Sequence, residues 1–130
     1  MFTRSEGSVA ETEGPAVPER LLITRTTADD GSCVVALAGE VDLDGSAHLR
    51  DALLSCPGTA PGTVVDLGDV TFMDSSGINA LITAHQAAQA GGTRLRLAAP
   101  QEAVLRVLQL VGVDTLIPCY PTLEAALASR

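Results

Sequence analysis

Lysine and tryptophan are absent from this chain of 130 residues, and aromatic residues make up only 2% of it. All eight basic residues are arginine, and the formal net charge is −8. Nucleic acid requires a basic stripe on a protein, and an anionic membrane surface attracts the same charge, so both partners are disfavoured. The charge balance instead predicts a protein partner with a basic face.

Paired cysteine motifs are also missing. Cys33, Cys56 and Cys119 are odd in number and widely spaced, with no CxxC pair, so a zinc site or a dithiol redox site has little support. We expect free thiols in a reducing cytosol, and neither a metal nor a cofactor. No apolar run reaches the length of a membrane span, and no signal-peptide core is present, which predicts a cytoplasmic protein.

The hydrophobic pattern predicts a disordered tail at residues 1–18 and a single α/β domain at 19–130. Its elements run in the order β-β-α-β-α-β-α-β-α. We expect a mostly parallel sheet of four to five strands, and a hairpin turn at 28–32 adds one antiparallel pair, so the sheet is mixed. The predicted strands are 21–26, 33–41, 63–72, 94–98 and 116–118. The first predicted helix follows cap residues at 42–46, the second runs from 78 to 90, the third opens at Pro100 and the last follows the cap Thr122.

Two patterns give expectations about burial. Arg94–Ala98 alternates between basic and apolar residues, which predicts a strand with one face in water. Val104, Val107, Leu108 and Val111 recur at helical spacing, which predicts the buried stripe of the third helix.

Asp74-Ser75-Ser76-Gly77 lies where the third strand turns into the second helix. Ser75 or Asp74 is suited to cap that helix by accepting hydrogen bonds from free backbone N–H groups. A phosphate on Ser76, in the first helical turn, would be tolerated by the helix dipole. Local chemistry alone favours the capping role.

The segment from Phe72 to Ile78, FMDSSGI, follows VVDL at residues 64–67 and resembles the signature of anti-sigma factor antagonists, which are single STAS domains. GEVD, at residues 39–42, resembles the second landmark of that family. The resemblance extends over roughly residues 20–130 in element order as well as in motif. It implies a STAS-like fold and a binding module with no catalytic residue.

The resemblance also implies how such a module is switched. The second serine of the pair, Ser76, would be phosphorylated, with Ser75 as the alternative, and Asp42 and Asp74 would be neighbouring carboxylates. The partner would be an anti-sigma factor that is itself the kinase, and a separate serine phosphatase would remove the phosphate. Binding of the unmodified protein would release a sigma factor.

The predicted docking surface combines the Ser-Ser turn, the second helix and the loop before the first helix. No nucleic acid or membrane contact is expected, and the protein would be a monomer or a weak dimer. The predicted partner-binding residues are Asp42, Asp44, Ser46, Asp74, Ser75, Ser76, Gly77, Asn79 and Thr83.

Two alternatives remain open. A STAS domain can act as a scaffold or small-ligand sensor without a phosphorylation switch. The string from Asp42 to Ser46 also resembles the nucleophile loop of haloacid-dehalogenase-type phosphatases, with Asp42 as nucleophile, Asp44 as acid and Asp69 or Asp74 near Mg²⁺. Against the phosphatase stand the absent lysine, the short chain and the element order. His48 and His85 fall on predicted helices, where packing or surface roles are commoner than catalysis.

Overall fold

The computed structural model describes residues 20–57 and 60–129, so the tail predicted at 1–18 lies outside the described residues. The strands are β1 (Leu21–Thr27), β2 (Cys33–Val41), β3 (Thr63–Met73), β4 (Leu95–Ala98) and β5 (Cys119–Tyr120). The helices are α1 (Leu43–Leu54), α2 (Ser75–Ala90), α3 (Glu102–Leu110), α4 (Val113–Leu116) and α5 (Leu123–Ala128). Within this part of the chain, no helix is long and apolar enough to span a membrane.

The five strands form one sheet in the order β1-β2-β3-β4-β5. β1 pairs with β2 in antiparallel fashion, and the remaining neighbours are parallel, which confirms the predicted mixed, mostly parallel sheet. The predicted element order is also confirmed, apart from the short helix α4. The bounds of β2 match the prediction at both ends.

Helices cover one face of the sheet, and α5 covers part of the other. Val35, Val65 and Leu97 belong to the main core, which α1, α2 and α3 complete. Val64 and Ala98, on the opposite face, pack with α5. Alternate residues of a strand point to opposite faces, so β3 and β4 contribute to both layers. Burial of a large aliphatic side chain contributes about 1.5–3 kcal/mol, and this core is the main source of stability.

The β2–β3 ladder is irregular around Gly39. The register shifts between Ala36 and Ala38 and again between Gly39 and Glu40. Gly39 has φ +110, and a β-carbon added there would lie 1.9 Å from the carbonyl oxygen of Arg20. Only glycine fits this backbone conformation beside β1. Beyond the irregularity, the strands pair again at their carboxyl ends.

The predicted wet face of β4 is wrong. All four of its residues are buried, including Arg96, because α5 covers the face that sequence alternation assigned to solvent. Arg96 donates hydrogen bonds to the backbone carbonyls of Ala126 and Ser129. Burial, and then the like charge of Arg94, lowers the pKa of Arg96 from its usual value.

The predicted strand at 116–118 is also wrong. The N–H of Ile117 donates to the carbonyl of Val113 at 2.8 Å, which extends a helical turn instead. The fifth strand begins at Cys119, where it pairs with Leu97 of β4. Val111 is 57% exposed rather than part of the buried stripe, because α3 ends at Leu110 and Val111 is its C-cap.

The cysteines correct a further prediction, since Cys33 and Cys56 form a disulfide while Cys119 is free. Cys33 begins β2, and α1 runs back along the sheet, so Cys56 returns to the same end. Their Cα atoms lie 6.3 Å apart. Cys119 is partly buried, and burial, followed by the charge of Asp114, raises the pKa of its thiol.

Thiol counting tests the disulfide. The unfolded, unreduced protein should react with a thiol reagent at Cys119 alone, and Cys119→Ser should show no reactive thiol. Reduction, or Cys56→Ser, should lower the free energy of unfolding by roughly 3 kcal/mol, from the loop entropy of the unfolded chain. Three reactive thiols in the unreduced wild type would contradict the pairing.

The raised pKa of Cys119 predicts slow alkylation, because the thiolate is the reactive form. Asp114→Asn removes a negative charge that disfavours the thiolate, so it should lower this pKa and speed alkylation at pH 8 by about twofold. Glu124→Gln, which changes an exposed carboxylate on α5, is the matched control. Equal rates in all three proteins would refute the assigned cause.

Candidate functional site

Two turns that begin helices lie side by side at the carboxyl ends of β2 and β3. Val41 of β2 is in register with Met73 of β3. The N–H of Asp74 then donates to the carbonyl of Val41 at 3.2 Å. This bond continues the parallel pairing beyond the strands, so the turns starting at Asp42 and Asp74 are neighbours.

Each turn is capped by its aspartate. Asp74 is the N-cap of α2, and its Oδ1 accepts from the N–H groups of Ser76 at 2.9 Å and Gly77 at 3.4 Å. Asp42 is the N-cap of α1, and its Oδ1 accepts from the N–H of Gly45 at 3.2 Å. Of the two predicted caps for α2, the structure uses Asp74, so Ser75 and Ser76 occupy the first two helical positions. Such a cap contributes about 1 kcal/mol.

Arg20 gathers the carboxylates of the first turn. Its guanidinium lies 2.8 Å from Oδ2 of Asp42, 3.4 Å from Oε1 of Glu40 and 3.9 Å from Oδ2 of Asp44. The Arg20 and Asp44 side chains are 59% and 73% exposed, so each pair is worth only about 0–1 kcal/mol. Together they occupy both terminal nitrogens of Arg20 and hold the Asp42 carboxylate beside it.

Gly77 allows α2 to start directly against β2. A β-carbon at this position would lie 2.7 Å from Cγ1 of Val41 and 2.9 Å from Cγ of Met73. The predicted site residue Gly77 is therefore buried and structural, and it holds Ser76 close to the ends of both strands.

A cleft of about 180 Å³ separates α1 from α2 next to these turns. Four predicted residues line it, since Ser46 comes from α1 and Ser76, Asn79 and Thr83 come from α2. Ser76 is partly buried. The complete lining consists of Leu43, Ser46, Arg50, Ser76, Asn79, Ala80 and Thr83.

The other predicted residues lie beside this cleft rather than in its lining. Asp42 and Asp74 cap the helices, Asp44 faces Arg20, and Ser75 is exposed on the outer side of the first turn of α2. The structure therefore brings the predicted set to one end of the sheet and divides it between the cleft and its rim.

The sequence analysis did not name two residues of this cleft. Leu43 is 73% exposed at the start of α1, and Arg50 lies further along the same helix. The positions 43, 46 and 50 have the spacing of one helix face, so Arg50 could have been found as a neighbour of Ser46.

Asp42, the nucleophile of the phosphatase alternative, has a structural role. Its Oδ1 accepts from the N–H of Gly45 and its Oδ2 pairs with Arg20, so both oxygens help to hold the turn. Across residues 20–57 and 60–129, no group of three or more His, Cys, Asp or Glu side chains could hold a metal ion. His85 is buried in α2, where its ring is a packing element.

The site consists of two turns capped by aspartates at the end of a mixed sheet, with a Ser-Ser pair starting α2. A comparison with known protein families identifies the same type of domain. The family model described as "Mlab, STAS domain" matches residues 24–118, and the chain belongs to the STAS domain family.

The chain is similar to named members of that family. It is 32% identical to the anti-sigma-F factor antagonist RsfB of Mycobacterium tuberculosis over 108 residues, covering 81% of this chain and 87% of RsfB. A solved anti-sigma factor antagonist from Mycobacterium paratuberculosis superposes with a TM-score of 0.76 and 28% identity, covering 86% and 95% of the two chains. Phosphorylated SpoIIAA of Bacillus shares the fold, with a TM-score of 0.64, 21% identity and coverages of 82% and 96%.

The packing of Gly77 makes a direct prediction. Gly77→Ala should destabilise the domain by about 1–3 kcal/mol, because the new methyl group overlaps Val41 and Met73. Gly91→Ala is the matched control, since the nearest atom to its added β-carbon lies at 3.5 Å and its φ is −89. Chemical denaturation measures both variants, and equal stabilities would contradict the close approach.

Proposed function

We propose that this protein is an anti-sigma factor antagonist that is switched off by phosphorylation of Ser76. In its unmodified form it binds an anti-sigma factor of the serine kinase type and thereby releases a sigma factor. The observation that carries this proposal is the position of Ser76, which is partly buried in the lining of the α1–α2 cleft on a capped helix start. The names of the relatives support the same role.

The proposed docking surface is the cleft together with its rim. Ser46, Asn79 and Thr83 offer hydrogen-bonding groups along it, and Leu43 offers an exposed apolar contact beside them. The carboxylates of Asp42, Asp44 and Asp74 suit a partner with a basic face. We place this binding in the cytoplasm, with the protein acting as a monomer or weak dimer and having no catalytic role of its own.

Phosphorylation would act on this surface through charge. The kinase transfers the γ-phosphoryl group of ATP to Oγ of Ser76, releasing ADP and the hydroxyl proton, and a serine phosphatase restores the hydroxyl. The phosphate adds about −1.5 to −2 charges. Two unit charges at about 6 Å interact by roughly 0.7–2.8 kcal/mol between effective dielectrics of 80 and 20. A partner carboxylate brought near the turn would be repelled to that extent.

Ser76 is favoured over Ser75 because the two side chains differ in position. Ser75 is exposed outside the cleft, whereas Ser76 lines it, so a phosphate on Ser76 is placed where a docking partner must fit. The fold need not change, since the backbone N–H of Ser76 is already bonded to Asp74.

Binding measurements with a candidate anti-sigma kinase test the proposal. Ser76→Asp should weaken binding at least tenfold, equivalent to about 1.4 kcal/mol, while its circular dichroism spectrum stays that of the wild type. With ATP, mass spectrometry should find one added phosphate on the wild type and on Ser75→Ala, and none on Ser76→Ala.

Ser75→Asp is the matched control, which places the same charge outside the cleft. Equal affinities of the wild type and Ser76→Asp for the anti-sigma factor would contradict the proposed phosphorylation switch. Binding without any phosphate transfer would favour a STAS domain with a scaffold role.

A further inference from the structure

We propose that Arg50 is the intramolecular counter-ion of a phosphate on Ser76, so that phosphorylation closes the α1–α2 cleft with an ion pair between the two helices. The inference deepens the proposed function and rests on it in one respect, the identity of the modified serine.

Arg50 and Ser76 lie on neighbouring helices around one cleft. Arg50 projects from α1 and Ser76 from α2, and both line the same cleft of about 180 Å³. Leu43 and Ser46 share the face of α1 with Arg50, and Ala80 lies opposite on α2. The small side chains of Ser46 and Ala80 leave the space in which a phosphate and a guanidinium can meet.

Arg50 has no partner among the residues that the structure describes. Among residues 20–57 and 60–129, it is the one arginine whose guanidinium has neither an ion pair nor a hydrogen bond. The partners of the others are Glu40, Asp42 and Asp44 for Arg20, Ser55 for Arg25, Ser129 for Arg94, Ala126 and Ser129 for Arg96, and Glu102 for Arg106.

A further argument is charge. Asp42, Asp44 and Asp74 surround the two turns, so a phosphate added on Ser76 meets an already negative region. The nearby Arg20 is engaged by its own carboxylates. Among the residues that the structure describes, Arg50 is the unpaired arginine in the lining of the cleft, and its planar guanidinium can donate two parallel hydrogen bonds to phosphate oxygens.

The pairing has a consequence for switching. A phosphate held by Arg50 spans the cleft and fills the space that Ser46, Asn79 and Thr83 would otherwise offer to a partner. The phosphate would then block docking in two ways, by filling the cleft and by repelling negative groups of the partner. Arg50, once paired with the phosphate, would also no longer be able to bind a carboxylate of the partner.

Phosphorus NMR of the full chain tests this without a kinase or a partner, because phosphoserine can be installed at position 76 during synthesis. The measured quantity is the second pKa of the phosphate, ordinarily about 6. A nearby cation favours the dianion, so Arg50→Gln should raise this pKa by about 0.5, the size expected for an exposed ion pair. Arg50→Lys keeps the positive charge, so the phosphate pKa should stay nearly as low as in the protein with Arg50. A role of Arg50 in packing alone would not explain that result.

The matched control carries phosphoserine at position 75, outside the cleft, where Arg50→Gln should leave the phosphate pKa unchanged. The charges of Asp42, Asp44, Asp74 and Arg20 are the same in all these proteins, so the difference isolates Arg50. An unchanged pKa at position 76 in Arg50→Gln would overturn the inference, whatever a kinase does to Ser76. Failure of a kinase to modify Ser76 would overturn the proposed function and leave this result standing.

Discussion

The parallel pairing of β2 with β3, extended by the hydrogen bond from the N–H of Asp74 to the carbonyl of Val41, is the constraint on which the rest depends. It sets two helix starts side by side, so that α1 and α2 leave the sheet together and enclose a cleft. A slip of β3 by one residue against β2 would turn Met73 from the core to the other face. The two register shifts around Gly39 avoid this because together they move the pairing by two residues, from Cys33 opposite Thr63 to Val41 opposite Met73, which returns the side chains to the same face.

The backbone of the proposed docking surface is held by caps and close packing. Asp42 and Asp74 cap their helices, and Gly77 lets α2 contact β2 directly. A charge added on Ser76 therefore changes the surface rather than the fold. The two arginines near this surface differ in their surroundings. Arg20 is paired with carboxylates, whereas Arg50 faces an open cleft.

Much of the fold followed from local patterns. The alternation and apolar runs located β2 to the residue. Cap residues were predicted before both helices, and the structure selected Asp42 and Asp74 among the candidates. Reasoning failed where a distant element decided the environment. Arg96 alternates as a surface residue would, but α5 covers it. Residues 116–118 have the composition of a strand, but the turn that Val113 starts continues to Ile117.

Local sequence was sufficient for the element order, the helix caps and the Ser-Ser turn, because these depend on residues within about one helical turn of each other. The pairing of Cys33 with Cys56 and the presence of Arg50 and Ser76 in one cleft depend instead on how α1 crosses back along the sheet and packs on α2. The spacing of these residues along the chain does not predict that packing. Only the tertiary structure therefore decided which side chains share the cleft, and with them the chemistry available around Ser76.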